Sequence, residues 1–210
     1  MDLKALTDSI VAMNDQVVRD LVKRALSDHI DPKVILDQGL IPGIKEVGSL
    51  FSRKEYFVPE VLLAAEAFYA GFDIIKPLLE SAGVKKKGKI MIAVVEGDIH
   101  DIGKNIVKVM LEASGYDVND LGRDVSVNRI IKSVKACKPQ ILALSSLMTT
   151  TMNHMEDVIK ILEEEGIRSQ VKVIVGGAPV NRDFAERIKA DGYGCDAAEA
   201  VKITDTIING

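Results

Sequence analysis

The hydrophobic period of this chain changes once, near residue 88, and that change decides what it can fold into. Before it, apolar residues recur at spacings of three and four, as in Leu3, Leu6 and Ile10 and again in Val17 and Leu21. That is the spacing of an amphipathic helix, and no strand pattern interrupts it over residues 1–80. After it, short apolar runs alternate with helical stretches. The runs are "KIMIAVVE", "YDVNDLG", "QILALSS", "VKVIVGG" and a weak "GYGC". Helical patterns cover Asn105–Ala113, Val127–Ala136, Met152–Glu165, Arg182–Ala190 and Ala197–Ile208. A run apolar on both faces needs cover on both faces, and alternation with helices supplies it through parallel crossovers. The expected fold is an N-terminal all-α helical bundle over residues 1–85. A doubly wound, Rossmann- or flavodoxin-like α/β domain with a five-stranded parallel sheet follows over residues 88–210.

Within the first half, Asn14-Asp15 divides two helices, since both residues favour helix caps. Asp31-Pro32 reads as a helix start, and Gly39 with Pro42-Gly43 as the next turn. A long helix from about Pro59 is apolar on most faces over Val61–Ile75 and is expected at the centre of the bundle. The stretch "SAGVKKKGKI" at 81–90 reads as a solvated linker, with a basic phosphate-binding patch as the alternative.

Composition narrows the function. The 210 residues carry a net charge of −4, and aromatic residues make up 4% with no Trp. With a pI near 5.5, neither a basic nucleic-acid surface nor a base-stacking platform is expected. No apolar stretch reaches the roughly 18 residues a bilayer span requires. The N-terminal residues lack the pattern of a secretory signal, so a cytoplasmic location is expected, with no membrane partner. Cys137 and Cys195 form no C-x-x-C pair and are expected to be buried, reduced thiols.

In open α/β sheets ligands sit beyond the carboxyl ends of the strands. Four of those ends run into "EGDIHDIG", "LGRDVS", "SSLMTTT" and "VGGAPV", all rich in small or polar residues. Any one could be ordinary turn chemistry. Four together, one holding a histidine, point to a site. In Asp98-Ile-His100 a carboxylate can take the hydrogen bond of one ring nitrogen and fix the lone pair of the other. This suits a metal ligand or a general base; equally, Asp98 could cap a helix and His100 be a loop residue. His29 and His154 are isolated and read as surface or helix residues, and no second cluster of ligating side chains is evident.

The spacing of three motifs carries a resemblance. Asp98-Ile-His100-Asp-Ile-Gly103 fits D-x-H-x-x-G; 41 residues (104–144) lead to Ser145-Ser-Leu147, an S-x-L; 28 more (148–175) lead to Gly176-Gly177. This set resembles the cobalamin-binding domains of the methionine-synthase type. The helical half, with "YFVPEVLLAAEAF" and "KPLLE", is similar to the helical cap that precedes this domain in methyl-carrying corrinoid proteins. Almost the whole chain is covered. It resembles the stand-alone corrinoid protein of a methyltransferase system, of the methylamine, quaternary-amine or methoxy-compound type.

The resemblance implies a cobalamin or related corrinoid as cofactor, cycling between methylcobalamin and cob(I)alamin. His100 would be the lower axial ligand to cobalt, and Asp98 would bond its other nitrogen. Thr151 stands where the family has a serine that continues this relay, keeping the hydroxyl and adding a methyl. Gly103 would let the first helix approach the cofactor's nucleotide tail. Ser145, Leu147 and Thr149 would line the tail slot, flanked by Gly176, Gly177 and Ala178, the glycines leaving the slot open. Gly97, Ile99, Asp101 and Ile102 belong to the same binding loop, Asp101 with no task beyond starting the helix. The helical half would shield the upper corrin face, with Tyr56 and Phe57 as covering residues.

Such a chain is not catalytic alone. It would accept methyl from a substrate-specific corrinoid methyltransferase and pass it to a second one with a tetrahydrofolate- or thiol-type acceptor, a reductive activase restoring the cobalt. Alternatives are the small subunit of an adenosylcobalamin mutase, which usually lacks the helical module, and a cobalamin-responsive regulator, which needs a further domain. A flavodoxin-like or response-regulator-like domain explains the sheet but not the spacings. The donor is left open among methylamines, quaternary amines, methoxyaromatics and methanol.

Overall fold

The structure is a computed structural model describing residues 3–209, the side chain of Glu80 excepted. The chain forms two compact units, residues 1–85 and 86–210.

The first unit consists, among its described residues, of helices joined by short turns: α1 (Lys4–Val11), α2 (Asp15–Ser27), α3 (Pro32–Ile35), α4 (Ile41–Ser52) and α5 (Val58–Ser81). The Asn14 side chain accepts the Val17 N–H and so separates α1 from α2. Asp31 accepts the Lys33 N–H ahead of Pro32, as the sequence suggests. The turn expected at Gly39 and Pro42-Gly43 is absent. A π-helical stretch, Leu36–Leu40, joins α3 directly to α4. Its wider register accommodates Pro42, which has no N–H to donate, at the start of α4. The two glycines serve packing instead: a Cβ on Gly39 would stand 2.8 Å from Leu6, and one on Gly43 2.9 Å from Ile10, both in α1. Helix α5 buries Val61, Ala64, Phe68, Phe72 and Ile75 at the centre, chiefly against α2.

The second unit alternates β1 (Lys89–Val94), α6 (Ile102–Ala113), β2 (Asp117–Asp120), α7 (Val127–Cys137), β3 (Ile141–Ser145), α8 (Asn153–Glu164), β4 (Lys172–Gly176), α9 (Arg182–Arg187), β5 (Gly192–Gly194) and α10 (Ala197–Asn209). The five strands form a parallel sheet in the order β2-β1-β3-β4-β5. Successive residues of β1 feed opposite faces. Met91 and Ala93 pack with Ile130 of α7, Val158 of α8 and Phe184 of α9. Ile90 and Ile92 pack with Leu111 of α6 and with Val201 and Ile207 of α10. Each buried Ile or Val contributes about 1.5–3 kcal/mol, so β1 is the firmest base from which a loop could project.

Two further expectations need correction. The linker is not wholly solvated: Lys87 bonds Asp205 at 3.3 Å and lies over the Tyr116 ring. Nor are both thiols buried. Cys137 is half-buried, but Cys195 is exposed in the turn between β5 and α10, where its N–H donates to Glu199. Hydrogen bonding to the Glu199 carboxylate, with burial, pushes this thiol up to about 11, so it is no ready nucleophile.

Candidate functional site

Register puts Val94, Ser145, Gly176 and Gly194 in one row across the carboxyl edge of the sheet. The loops that follow β1, β3 and β4 therefore start level with each other. Strand order reverses between β1 and β3, which makes that pair the topological switch point.

Asp98 sits at this point and is fully buried. Its Oδ1 accepts the His100 backbone N–H at 3.0 Å and the imidazole Nδ1–H at 2.8 Å. Its Oδ2 accepts the Leu147 N–H at 2.6 Å and lies 3.1 Å from the hydroxyls of both Ser146 and Thr151. A carboxylate offers about four lone-pair positions. Three are filled by fixed N–H donors, which leaves room for one hydroxyl. The other hydroxyl turns to its neighbour, 2.8 Å away, or to the Met148 carbonyl. Burial pushes the Asp98 carboxyl up. The N–H groups of His100 and Leu147, then the imidazole and the Ser146 hydroxyl, outweigh it and hold the carboxyl well below the usual range. Asp98 is therefore ionised and can only accept. His100 must carry its proton on Nδ1, and the lone pair stays on Nε2 of a side chain that is 47% exposed.

Most of the expected residues gather here. Thr151 joins the hydroxyl pair, and its additional methyl has a place: a Cβ on Gly97 would lie 3.2 Å from it. Gly97 adopts φ +78°, turning the chain from β1 toward Asp98. Gly176 and Gly177 close against the β3 loop, the Ser146 N–H donating to the Gly176 carbonyl. Gly177, at φ +128°, would place a Cβ 1.8 Å from the Ser146 carbonyl oxygen. The protein's own backbone thus requires that glycine. Gly103 differs, for a Cβ there would meet nothing within 4 Å. Ser145 is half-buried at the end of β3, while Thr149 and Ala178 are exposed in their loops. Asp101 precedes α6 without a side-chain capping bond; only its carbonyl, accepting the Asn105 N–H, starts the helix. In the helical unit the Tyr56 hydroxyl donates to the Val11 carbonyl, whereas Phe57 is 63% exposed. His29 is exposed, and His154 faces Asp157.

Sequence reasoning missed Ser146, the middle residue of S-x-L, although its hydroxyl is buried at the centre of the network. Two consecutive serines after an apolar run were the available signal. It also assigned nothing to Glu96, which accepts the Val127 N–H at the start of α7, or to Asp124, which accepts the Gly97 N–H.

The B12 binding domain family matches residues 88–202, and a second B12 binding domain model, for the helical part, matches residues 2–76. The chain belongs to this B12-binding family. It is 43% identical to the trimethylamine corrinoid protein of Methanosarcina barkeri, over 96% of this chain and 94% of that one. It is 42% identical to a dimethylamine corrinoid protein of Methanosarcina acetivorans, over 95% and 93%. Among solved structures, a cobalamin-binding protein from Desulfitobacterium hafniense superposes with TM-score 0.80 at 36% identity, covering 99% of this chain and 98% of that one. The methanol:cobalamin methyltransferase complex of Methanosarcina barkeri superposes at 0.83 and 37%, covering 99% and 80%.

The family's cofactor is a cobalamin or related corrinoid, and the residues present fit it. His100 offers a lone pair of fixed direction. Around it stand Ile99 (60% exposed), Ile102 and Leu147 (48% each), apolar side chains suited to a flat apolar ligand edge. Gly103 leaves open space beside them. Among the described residues no three His, Cys, Asp or Glu side chains cluster to enclose a metal, so further ligands to a metal at His100 would come from a cofactor. No described helix is long and apolar enough to cross a membrane.

Proposed function

We propose that this chain is a methyl carrier: it takes a methyl group on a bound corrinoid from a substrate-specific methyltransferase and yields it to a second methyltransferase. The observation that carries the reading is His100, its Nδ1–H fixed on buried, ionised Asp98 and its Nε2 lone pair available. The corrinoid supplies a cobalt centre that can both accept and donate a methyl group. His100 Nε2 would be the lower axial donor, and Asp98 would hold the ring and strengthen that donor. Ser146 and Thr151 would steady Asp98 from the far side. When Nε2 is released it can take up a proton. Asp98 stays ionised meanwhile, held so by four hydrogen-bond donors: the His100 and Leu147 N–H groups, the imidazole and one hydroxyl. Ile99, Ile102, Gly103, Ser145, Leu147, Thr149, Gly176, Gly177 and Ala178 would shape the surface that receives the cofactor and its tail.

The relatives named for trimethylamine and dimethylamine favour a methylamine as donor. The solved methanol:cobalamin methyltransferase complex gives methanol as the second reading and supports a methyltransferase as partner. A reductive activase and an acceptor methyltransferase complete the cycle we propose. Reconstitution with hydroxocobalamin, reduction, and incubation with methylamine- or methanol-specific methyltransferases tests the donor. Methylation by neither class overturns the carrier reading. Loaded with methylcobalamin, His100→Ala should retain the corrinoid but show a histidine-free spectrum; an unchanged spectrum removes His100 from the ligand role.

A further inference from the structure

The loop between β2 and α7 is tied to the Asp98 loop by reciprocal bonds. The Asp124 carboxylate accepts the Gly97 N–H at 2.7 Å, and the Asp124 N–H donates to the Asp98 carbonyl at 2.9 Å. Glu96 reaches the other way, accepting the Val127 N–H at 3.2 Å. A bridge between Val95 and Val125 lies between these bonds. Asp124 adopts φ +50°, a left-handed conformation that Asp tolerates better than most residues, and this turn aims its carboxylate and its N–H at adjacent residues of one neighbour. Gly97 is thereby held at its N–H by the Asp124 carboxylate, and the Thr151 methyl occupies the side where a Cβ would point, 3.2 Å from that position. Gly97 precedes Asp98, and its positive φ sets the direction in which the Asp98–His100 pair leaves β1.

We infer that Asp124 is a positioning residue for the axial histidine: it fixes the Gly97 turn and, through Asp98, the angle at which His100 presents Nε2. This rests on the reading of His100 as the cobalt ligand. The Asp124 bonds go to the Gly97 N–H and the Asp98 carbonyl, and none of them reaches the imidazole. Its effect falls on the balance between histidine-bound and histidine-free corrinoid, not on whether the corrinoid is held.

The test uses the full chain reconstituted with cobalamin and reduced to the cob(II) state. A nitrogen ligand there splits the high-field cobalt resonances in the electron paramagnetic resonance spectrum into triplets. Bound corrinoid is measured separately by absorbance. Asp124→Gly keeps the left-handed backbone without strain and deletes the acceptor; Asp124→Asn keeps both backbone and acceptor. The expected result for Asp124→Gly is parental corrinoid content with the histidine-bound to histidine-free ratio about three- to tenfold lower, the scale of one lost ordinary hydrogen bond. Asp124→Asn should restore the ratio. A parental ratio in Asp124→Gly, an equal loss in both variants, or loss of the corrinoid itself overturns the inference. His100→Ala run in parallel separates the two readings. The parental chain is also made with 15N-histidine: triplets that stay triplets there sink the ligand assignment, whereas doublets that His100→Ala abolishes, beside a parental Asp124→Gly, sink only the role of Asp124.

Discussion

Asp98 and Asp120 both lie at the carboxyl edge of the sheet, and the chain satisfies their charges by opposite means. Asp120, at the end of β2, meets a cation: Lys104 Nζ, 1% exposed, lies 2.6 Å from its Oδ2 and 2.7 Å from Asn105, with Lys108 at 3.5 Å. Burial pushes the Asp120 carboxyl up, but the Lys104 bond, the Gly122 N–H and the lysine charges bring it net below its ordinary value. Among the described residues, no lysine or arginine is paired with Asp98. Backbone N–H groups, hydroxyls and one imidazole surround it. The first arrangement neutralises a charge and pins α6 to β2. The second keeps a full negative charge dry and directs it at a histidine. A buried carboxylate ringed by hydrogen-bond donors thus orients a histidine, and the ion pair braces α6 against β2.

Substitutions can break or sharpen this contrast. The largest effect is expected from Gly177→Ala, which drives a methyl into the Ser146 carbonyl at a left-handed position. It should cost about 3 kcal/mol or more in denaturant melts. A near-parental melt would show the Asp98 surround to be soft. Next, Lys104→Ala should cost about 2–3 kcal/mol by removing the nearest cation from Asp120, which keeps Lys108 at 3.5 Å and the Gly122 N–H. The double change Lys104→Met with Asp120→Leu should recover most of that loss. No apolar replacement can do the same at Asp98, since its N–H donors would be left unpaired. If Asp98→Leu melts like the double variant, the contrast fails.

The acid limb gives a smaller and more specific measure. Both carboxyls are depressed in the folded state, so their contribution is complete above the unfolded pKa of about 3.9. It is lost as pH falls through the lower folded values. Parental stability should therefore drop below about pH 4. Asp98→Asn should cost about 1–2 kcal/mol at neutral pH and flatten that drop. A drop as steep as the parent's would assign the acid sensitivity elsewhere, to Asp120 among others. Thr151→Ser should have the smallest effect, about 0.5–1 kcal/mol for one methyl, with the corrinoid spectrum unchanged. A changed spectrum would mean that the methyl against Gly97 helps to set the His100 angle.

Much of this was legible in the chain itself. Asn14 and Asp31 mark helix starts through local capping, which needs no distant partner. Strand and helix runs from 89 onward are local too, because the period of burial is written residue by residue. Gly39 and Pro42-Gly43 misled for the same reason. Their turn-like chemistry is local, but their use, close approach to Leu6 and Ile10, depends on a helix thirty residues earlier. Ser146 escaped notice because an S-x-L spacing marks the flanking positions, whereas the fold turns the middle hydroxyl inward.

By itself the sequence determined the two-part architecture, the parallel sheet, and the pairing of Asp98 with His100, which lie only two residues apart. It also indicated Thr151, through the spacing of the motifs. Only the tertiary structure decided what surrounds that pair: Ser146 and Leu147 from β3's loop, Asp124 from β2's, and Gly177 from β4's. Those residues lie 26 to 79 positions from Asp98. No local pattern specifies them; they meet because parallel strands in register bring their carboxyl ends to one edge. It also decided the tautomer of His100, since that depends on Asp98 staying ionised, and so on donors gathered from two separate loops.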